Sequence, residues 1–239
     1  RFPRFIDYIE QGDVDSQAEP SLVASYGALE RWDGHRGPGN LNAYFCMNRA
    51  LALARQHLIG CVALAHTNHW MRAGTYGLQA AAADCIGICW TNTAPNMPPW
   101  GGKEPKLGNN PMVFAIPRAE GKHLLLDMAV SMFSYGKIEA YASRNEELPV
   151  EGGFDHDGNL TKEANVINET KLSLPVGFWK GSGLALMLDL IALILSGGNS
   201  TYQIGQLETE KGLSQVFLAI DYNRFPDRES LAKAINDTI

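Results

Sequence analysis

The stretch IGCVALAHTNHWMRAGTYGLQAAAADCIGICWT, residues 59–91, determines the predicted fold class. Its apolar run from Ile59 to Ala65 predicts a strand, the alanine-rich segment 77–84 predicts a helix, and Cys85–Thr91 predicts a second buried strand. A strand, a helix and a strand in succession are typical of a sheet with helices packed on its faces. We therefore predict an α/β fold.

The same alternation continues on both sides of this stretch. Residues 21–32 predict a β-ribbon that breaks at Gly27, and Asn40 can cap the helix that follows it. Between residues 92 and 111 the chain is rich in Pro, Gly and Asn without a period, which is typical of a functional loop or lid. Further helices are predicted near residues 1–12, 136–144, 179–195 and from 229, with strands at 111–117, 123–128 and 214–222.

The composition is that of an ordinary globular protein. The 239 residues, of which 45% are hydrophobic, suit one large domain or two modest ones. A net charge of −6 argues against a nucleic-acid-binding protein, which needs basic patches. The longest apolar run, Gly183–Leu195, is shorter than the roughly 20 residues that span a bilayer. We expect this run to be a buried core helix, and we expect no membrane partner.

Cysteine usage and the first residues bear on the cellular compartment. Cys46, Cys61, Cys85 and Cys89 lie in apolar surroundings, so we expect reduced core thiols in a cytoplasmic protein rather than disulfides or a metal pair. The opening residues RFPRFIDYIE are not a basic and apolar leader, so we expect no signal peptide. Because the first residue is not Met, we expect the sequence to be a piece of a longer polypeptide.

Polar residues follow the first of these strands. His66, Asn68 and His69 stand beyond a strand end, where α/β proteins bind their ligands. His69 can act as an acid or base near neutral pH, and Asn68 can hold a carbonyl group. Three alternatives remain open: both histidines are structural, they form a zinc pair, or they serve a metal-dependent hydrolase together with a carboxylate such as Asp84 or Asp127.

Other residues suit an anionic ligand. Lys180 begins a predicted helix, where its charge opposes the helix dipole unless it meets an anion. Ser131 and Ser134 precede another helix and are either caps or part of a pyrophosphate site. Arg1 and Arg4 can each bind a carboxylate through two hydrogen bonds, although a solvated arginine is commoner. The sequence contains no G-x-G-x-x-G, Walker A, H-E-x-x-H or G-x-S-x-G motif, so these motifs leave the class open.

Longer segments resemble a known family. RFPRFIDYIEQGD, TNHWMRAGTYG, GICWTNTAPNMPPWGGKE, LGNNPMVFAIP, DMAVSMFSYGK, GGFDHDGNLTKE and LPVGFWKGSGLALMLDLIA run in order from residue 1 to residue 192. They resemble the malate/L-lactate dehydrogenase type 2 family, which includes malate, sulfolactate and ureidoglycolate dehydrogenases. The resemblance implies a mixed sheet flanked by helices that is not a Rossmann fold, NAD or NADP as cofactor, and a homodimer.

The resemblance also implies roles for particular residues. The family's N-H-[F/W] motif matches Asn68-His69-Trp70, which implies that His69 is the catalytic acid or base and that Asn68 contacts the substrate. The first motif implies that Arg1 binds the substrate carboxylate. The cofactor-binding residues that the resemblance implies are Thr93, His123, Leu124, Leu125, Leu126, Asp127, Met128, Ala129, Val130, Ser131, Trp179 and Lys180.

The resemblance further implies two regions with different functions. Residues 30–206 form a cofactor-binding domain, and residues 1–29 and 207–239 form a smaller substrate and dimerisation region. The implied reaction reduces the ketone of a small 2-oxo acid, such as 2,3-diketo-L-gulonate, or runs in reverse. The family's Ser-His-Gly, whose histidine is a second proton-donor candidate, and its Gly-His-Glu have no counterpart in these residues. A metal-dependent hydrolase that uses His66 and His69 and a non-catalytic relative remain the alternatives.

Overall fold

A seven-stranded sheet with helices on both faces organises the chain. The computed structural model describes the backbone of residues 2–239 and the side chains from residue 5 onward. The strands are β1 (Ser21–Ser25), β2 (Leu29–Asp33), β3 (Ile59–Thr67), β4 (Cys85–Thr91), β5 (Met112–Ile116), β6 (Leu124–Met128), β7 (Gly153–Phe154), β8 (Leu160–Thr161) and β9 (Leu213–Asp221). The helices are α1 (Phe2–Glu10), α2 (Gly39–His57), α3 (Gly74–Ala82), α4 (Tyr135–Ser143), α5 (Ala164–Thr170), α6 (Trp179–Ser196), α7 (Thr201–Ile204) and α8 (Arg228–Thr238).

The strand order of the large sheet is β1-β2-β3-β9-β4-β5-β6. Strands β2 and β3 pair in parallel, whereas the other neighbours pair antiparallel. A Rossmann sheet is mostly parallel, so this mixed sheet belongs to a different fold. The prediction of a non-Rossmann mixed sheet flanked by helices is confirmed.

Helices α2 and α3 cover one face of the sheet and make the main core with it. Small residues allow the close approach: a Cβ on Gly60 would lie 2.1 Å from the carbonyl oxygen of Ala50, so only glycine fits where β3 passes under α2. The fully buried Val62, Leu64 and Phe217 fill this layer. Burial of such side chains contributes roughly 1.5–3 kcal/mol each relative to exposure.

Helix α6 packs on the opposite face through one side only. Ala185, Leu188 and Ala192 are buried against the sheet, whereas Met187 and Ile194 are 55% and 66% exposed. The expectation of a buried core helix was therefore wrong, because only one side of the helix has a neighbour among the described residues. A third cluster, formed by α4 and α5 with the β7–β8 hairpin, lies apart from both layers.

By length and composition alone, α6 is long and apolar enough to cross a membrane. A core helix of a soluble protein meets the same criterion, and 39% of this helix is buried in the fold. Its buried side also carries Asp189, whose carboxylate accepts hydrogen bonds of 2.8 Å from the side chain of Asn92 and from the backbone of Thr201. These bonds fix α6 to the sheet and to α7.

The expected two-region division crosses the sheet. Strand β9 falls in the region 207–239, yet it lies between β3 and β4 at the centre of the sheet. Strand β1 falls in the region 1–29 and forms one edge of the same sheet. The division into a cofactor region and a flanking region therefore stays a prediction about function.

Candidate active site

The chain leaves β3 through a segment whose first polar residue is firmly held. Asn68 is 5% exposed, and its amide nitrogen donates to the carbonyl oxygens of Asp13, Arg36 and Gly37 at 3.2, 2.7 and 3.2 Å. This nitrogen therefore joins the end of β3 to the loops that follow α1 and β2. The predicted contact of Asn68 with a substrate remains untested, and it would fall to the amide oxygen.

The first residue of α2 packs directly against the backbone of the same segment. A Cβ on Gly39, the first residue of α2, would lie 2.0 Å from the carbonyl oxygen of Asn68 and 2.6 Å from the carbonyl carbon of His69. A glycine at this position lets the start of α2 touch the peptide that carries the candidate catalytic histidine. The predicted cap at Asn40 was wrong, because α2 begins at Gly39 and its N-cap residue, Pro38, makes no side-chain cap bond.

The orientation of the His69 ring is set by a backbone hydrogen bond. The amide of Met71 donates to Nδ1 of His69 at 2.9 Å, and Met71 has a φ of 67°. A left-handed φ is costly for a residue other than glycine and is commonest at functional sites. Because Nδ1 accepts this bond, the proton of the neutral ring is on Nε2. His69 itself is half-buried.

The neighbouring aromatic residue anchors the loop. Trp70 is 1% exposed, and its ring packs against Tyr76 and Phe217 with centroid distances of 5.6 and 6.0 Å. The hydroxyl of Tyr76 donates to the carbonyl oxygen of Trp70 at 2.6 Å. Burial raises the pKa of Tyr76 well above its ordinary value, so this hydroxyl stays protonated and keeps donating. His69 therefore lies between two anchored residues, Asn68 and Trp70.

His66, three residues before His69, has a different partner. Nδ1 of His66 lies 2.9 Å from Oδ2 of Asp33, at the end of the neighbouring parallel strand. Partial burial opposes ionisation of Asp33, but hydrogen bonds from the backbone of His35 and from the ring of His66 hold the pKa of this carboxyl below its ordinary value. The contact between His66 and Asp33 thus joins the end of β3 to the end of β2.

The geometry does not support the metal-dependent hydrolase alternative. Among the residues that the structure describes, no three His, Cys, Asp or Glu side chains come together as a possible metal site. Asp84 forms an ion pair with Arg228 at 3.2 Å, and Asp127 accepts a 2.8 Å bond from the backbone of Gly74 at the start of α3. Neither carboxylate is part of a metal-binding group with the two histidines.

Several predicted cofactor residues lie in one neighbourhood beside the start of α6. Val130 receives a hydrogen bond from the backbone of Val176 at 2.8 Å and donates one to Asn109, and Asn109 contacts the hydroxyl of Thr93 at 3.3 Å. Ser131 pairs with Pro175 in an isolated bridge. Since α6 begins at Trp179, the structure brings Thr93, Val130, Ser131, Trp179 and Lys180 to the same region.

The remaining predicted cofactor residues are spread along β6. His123 precedes the strand and accepts a 3.2 Å bond from the backbone of Arg118. Ser131 follows eight residues later, roughly 26 Å further along an extended chain. Leu125 and Asp127 face α3. Leu124, Leu126, Met128 and Ala129 complete the segment, and Leu126 is 51% exposed.

Two predicted roles near this segment can be compared with the structure. Ser131 was a candidate helix cap, but its hydroxyl instead donates to the carbonyl oxygen of Phe133 at 2.7 Å. Ser134 is the cap of α4, accepting from the backbone of Lys137 at 3.3 Å, as predicted. Arg1, the predicted ligand of the substrate carboxylate, lies outside the described residues.

The four cysteines are free thiols and form no disulfide with one another. Cys46, Cys85 and Cys89 are buried, and Cys61 is partly buried. Burial raises the pKa of Cys61 and Cys85 to about 11, so both thiols are protonated at neutral pH. A protonated thiol is a poor nucleophile, and these residues therefore belong to the core rather than to the chemistry.

Sequence reasoning missed a polar latch that joins the two ends of the chain. The carboxylate of Asp13, which is 6% exposed, pairs with the ammonium of Lys211 and accepts a 2.6 Å bond from the hydroxyl of Thr209. Hydrogen bonds from Lys211 and Thr209 hold the pKa of Asp13 below its ordinary value, although burial opposes this. The sequence carries no local signal for a pair separated by 198 residues.

The whole chain is similar to proteins of a known family. The malate/L-lactate dehydrogenase family model matches residues 1–239. A 2,3-diketo-L-gulonate reductase of Klebsiella pneumoniae is 48% identical over 243 aligned residues, which cover all of this chain and 73% of that protein. The corresponding reductase of Escherichia coli is 47% identical with the same coverage.

A solved structure shares the fold. The malate dehydrogenase of Entamoeba histolytica superposes with a TM-score of 0.92 at 26% identity, covering 98% of this chain and 69% of that one. Because the family model matches this chain over residues 1–239, the chain belongs to the malate/L-lactate dehydrogenase family, whose members are oxidoreductases that act on CH–OH groups.

Proposed function

We propose that this chain is a nicotinamide-dependent reductase that converts the ketone of a small 2-oxo acid, such as 2,3-diketo-L-gulonate, into the 2-hydroxy acid. The observation that carries the proposal is the 47–48% identity, over the whole chain, with two proteins named 2,3-diketo-L-gulonate reductase. The geometry at the end of β3 supports it, because a fixed imidazole suits the proton transfer that this reaction requires.

In the proposed mechanism, His69 supplies the proton. When hydride reaches the ketone carbon, negative charge develops on the ketone oxygen and must be neutralised. The Nε2–H of His69 donates a hydrogen bond to that oxygen, while the Met71 amide donates to the opposite nitrogen of the neutral ring. Transfer of the proton itself requires the imidazolium, in which Nδ1 is also protonated and the bond from Met71 is broken, and the transfer leaves a neutral imidazole. The buried network around Asn68 keeps this donor in one position. Arg1 is proposed to bind the substrate carboxylate.

The residues at the start of α6 fit a dinucleotide. A bound reduced nicotinamide would supply the hydride. Lys180 is exposed in the first turn of α6, where its charge opposes the helix dipole and a phosphate anion would relieve that repulsion. The neighbouring Ser131 and Thr93 offer hydroxyl groups of the kind that bind phosphates and sugars. Either NADH or NADPH is compatible with these groups.

We also propose a cytoplasmic homodimer. Free, protonated thiols suit a reducing compartment. Apolar side chains remain exposed on α6 and on the outer strands of the sheet, including Phe114, Leu126, Leu186 and Met187. A second copy would remove such surface from water. Light scattering at micromolar concentration tests this, because a monomeric mass for the active enzyme would contradict it.

The function itself is tested by a panel of 2-oxo acids with NADH and with NADPH. We expect loss of the absorbance of the reduced nicotinamide with at least one pair, and the highest rate with 2,3-diketo-L-gulonate or a close analogue. A folded, pure protein that oxidises neither cofactor with any member of the panel would contradict the proposal.

A further inference from the structure

An aromatic side chain stands exposed on a turn beside the candidate cofactor residues. Trp100 is 46% exposed, and it occupies the second position of a turn that is closed by a 2.7 Å hydrogen bond from the amide of Gly102 to the carbonyl oxygen of Pro99. Gly101 has a φ of 85°, as the third position of a type II turn requires. The hydroxyl of Ser182 in α6 accepts a 2.7 Å bond from the amide of Trp100, so the turn is fixed to that helix.

A second aromatic ring meets Trp100 in a strained conformation. Phe178, directly before α6, has φ 59° and ψ −114°, which is a conformation that glycine adopts readily and a side chain adopts at a cost. Its ring lies 4.8 Å from that of Trp100, and 47% of the residue remains exposed. Core packing therefore does not account for a phenylalanine here. Backbone strain of this kind is commonest at ligand-binding sites.

Positive charge borders these rings. Trp179, which is 65% exposed, continues the aromatic surface, and the ammonium of Lys180 lies 5.9 Å from its ring centroid. Lys103 is exposed three residues after Trp100. The pairing of Ser131 with Pro175 connects this surface to the end of the predicted cofactor segment.

We propose that Trp100 and Phe178 form a platform on which the adenine ring of the dinucleotide cofactor stacks. This inference rests on the proposed function and extends it, because it assigns a binding subsite to two residues outside the predicted cofactor set. A planar, electron-poor heteroaromatic ring suits an exposed aromatic pair, and the lysines beside it suit the phosphates that accompany adenine. The strain at Phe178 keeps its ring presented to that ligand.

The test compares a dinucleotide with a mononucleotide. Dissociation constants of NADH, or of NADPH if it is the preferred cofactor, and of reduced nicotinamide mononucleotide are measured by fluorescence titration. Trp100→Ala should weaken dinucleotide binding by roughly tenfold or more, as expected for a lost base–aromatic stack, and leave mononucleotide binding unchanged. Trp100→Phe, which keeps a ring, should bind the dinucleotide nearly as wild type does. Tyr26→Ala removes another exposed aromatic residue, in the β1–β2 turn, and serves as the matched control.

Phe178→Gly separates a ligand role from a structural one. Because glycine relieves the backbone strain, the melting temperature of the variant should equal or exceed that of wild type. The affinity of the variant for the dinucleotide should fall. Unchanged dinucleotide affinity in Trp100→Ala, or equal weakening of both ligands, would overturn the platform while leaving the proposed function intact. A wild-type protein that binds neither NADH nor NADPH would contradict the proposed function and the platform together.

Discussion

The end of β3 and the start of α6 differ in how far their side chains are buried. Around His69 the chain is enclosed, because Asn68 and Trp70 are almost fully buried. The backbone amide of Met71 donates to Nδ1 of the ring, and the backbone of Asn68 fills the space beside Gly39. At the start of α6 the rings of Trp100 and Phe178 are half-exposed, and their centroids lie 4.8 Å apart. In the proposed function, proton transfer at the first region needs one fixed geometry, whereas the second must remain accessible to an entering cofactor. The fold therefore places rigidity at one site and open surface at the other.

The largest effect should come from the enclosed site. We expect His69→Ala to reduce turnover of 2-oxo acids by roughly 10²-fold or more, which is the range for a lost general acid or base, without loss of the fold. His156→Ala, at an exposed hairpin position, is the matched control and should behave as wild type. Steady-state kinetics and circular dichroism measure both. Near-wild-type turnover in His69→Ala would transfer the proton-donor role to another group.

Breaking the packing under His69 should cost stability as well as activity. Because a Cβ on Gly39 would lie 2.0 Å from a backbone oxygen, Gly39→Ala should lower the free energy of unfolding by roughly 1–3 kcal/mol. Gly183→Ala has nothing within 4 Å of the added Cβ and lies inside α6, so it should stabilise by roughly 0.5–1 kcal/mol. Urea denaturation compares the two, and equal effects would mean that backbone contact does not fix this segment.

The latch between Asp13 and Lys211 allows a test by pH. Lys211→Met should lower the free energy of unfolding by roughly 1–3 kcal/mol at neutral pH, because a buried carboxylate loses its charged donor. The pKa of Asp13 is lowered in the folded state, so its stabilising contribution is complete above its ordinary value of 3.8 and is lost as the pH falls through the folded value. Wild type and variant should therefore converge on acidification. A gap that stays constant down to low pH would rule out this ion pair as the cause.

The smallest effect is expected at Lys180, and its two consequences have opposite signs. Lys180→Ala should weaken cofactor binding several-fold, because one phosphate partner is removed. It should also stabilise the folded protein by roughly 0.3–1 kcal/mol, since a positive charge at a helix start is unfavourable. Lys233→Ala, on the exposed helix α8, is the control. An unchanged dissociation constant by fluorescence titration would make Lys180 a solvated side chain.

The two regions also differ in how far sequence predicts them. Residues 59–91 have clear periods, so the strand, the helix and the second strand were placed closely, and the polar residues beyond Ala65 identified a candidate site. The position of β9 at the centre of the sheet was not predictable, because the order of strands depends on contacts between distant residues. The same limit concealed the Asp13–Lys211 pair.

At the start of α6 the sequence revealed less. Lys180 was recognisable because a charge at a helix start has a known energetic sign. The pairing of Trp100 with Phe178 was not, because neither the ring contact nor the left-handed backbone of a phenylalanine follows from residue type. The helices α5 and α7 were missed because seven and four residues are too short to show a helical period.

The central claim is a direct hydride transfer from a reduced nicotinamide to the ketone of a 2-oxo acid. The most direct measurement uses NADH or NADPH carrying deuterium in the transferable position at nicotinamide C4, with 2,3-diketo-L-gulonate as substrate and the product analysed by NMR and mass spectrometry. We predict one deuterium on the new carbinol carbon. A product formed without deuterium at that carbon, or no product from a folded protein that binds the cofactor, would contradict the account.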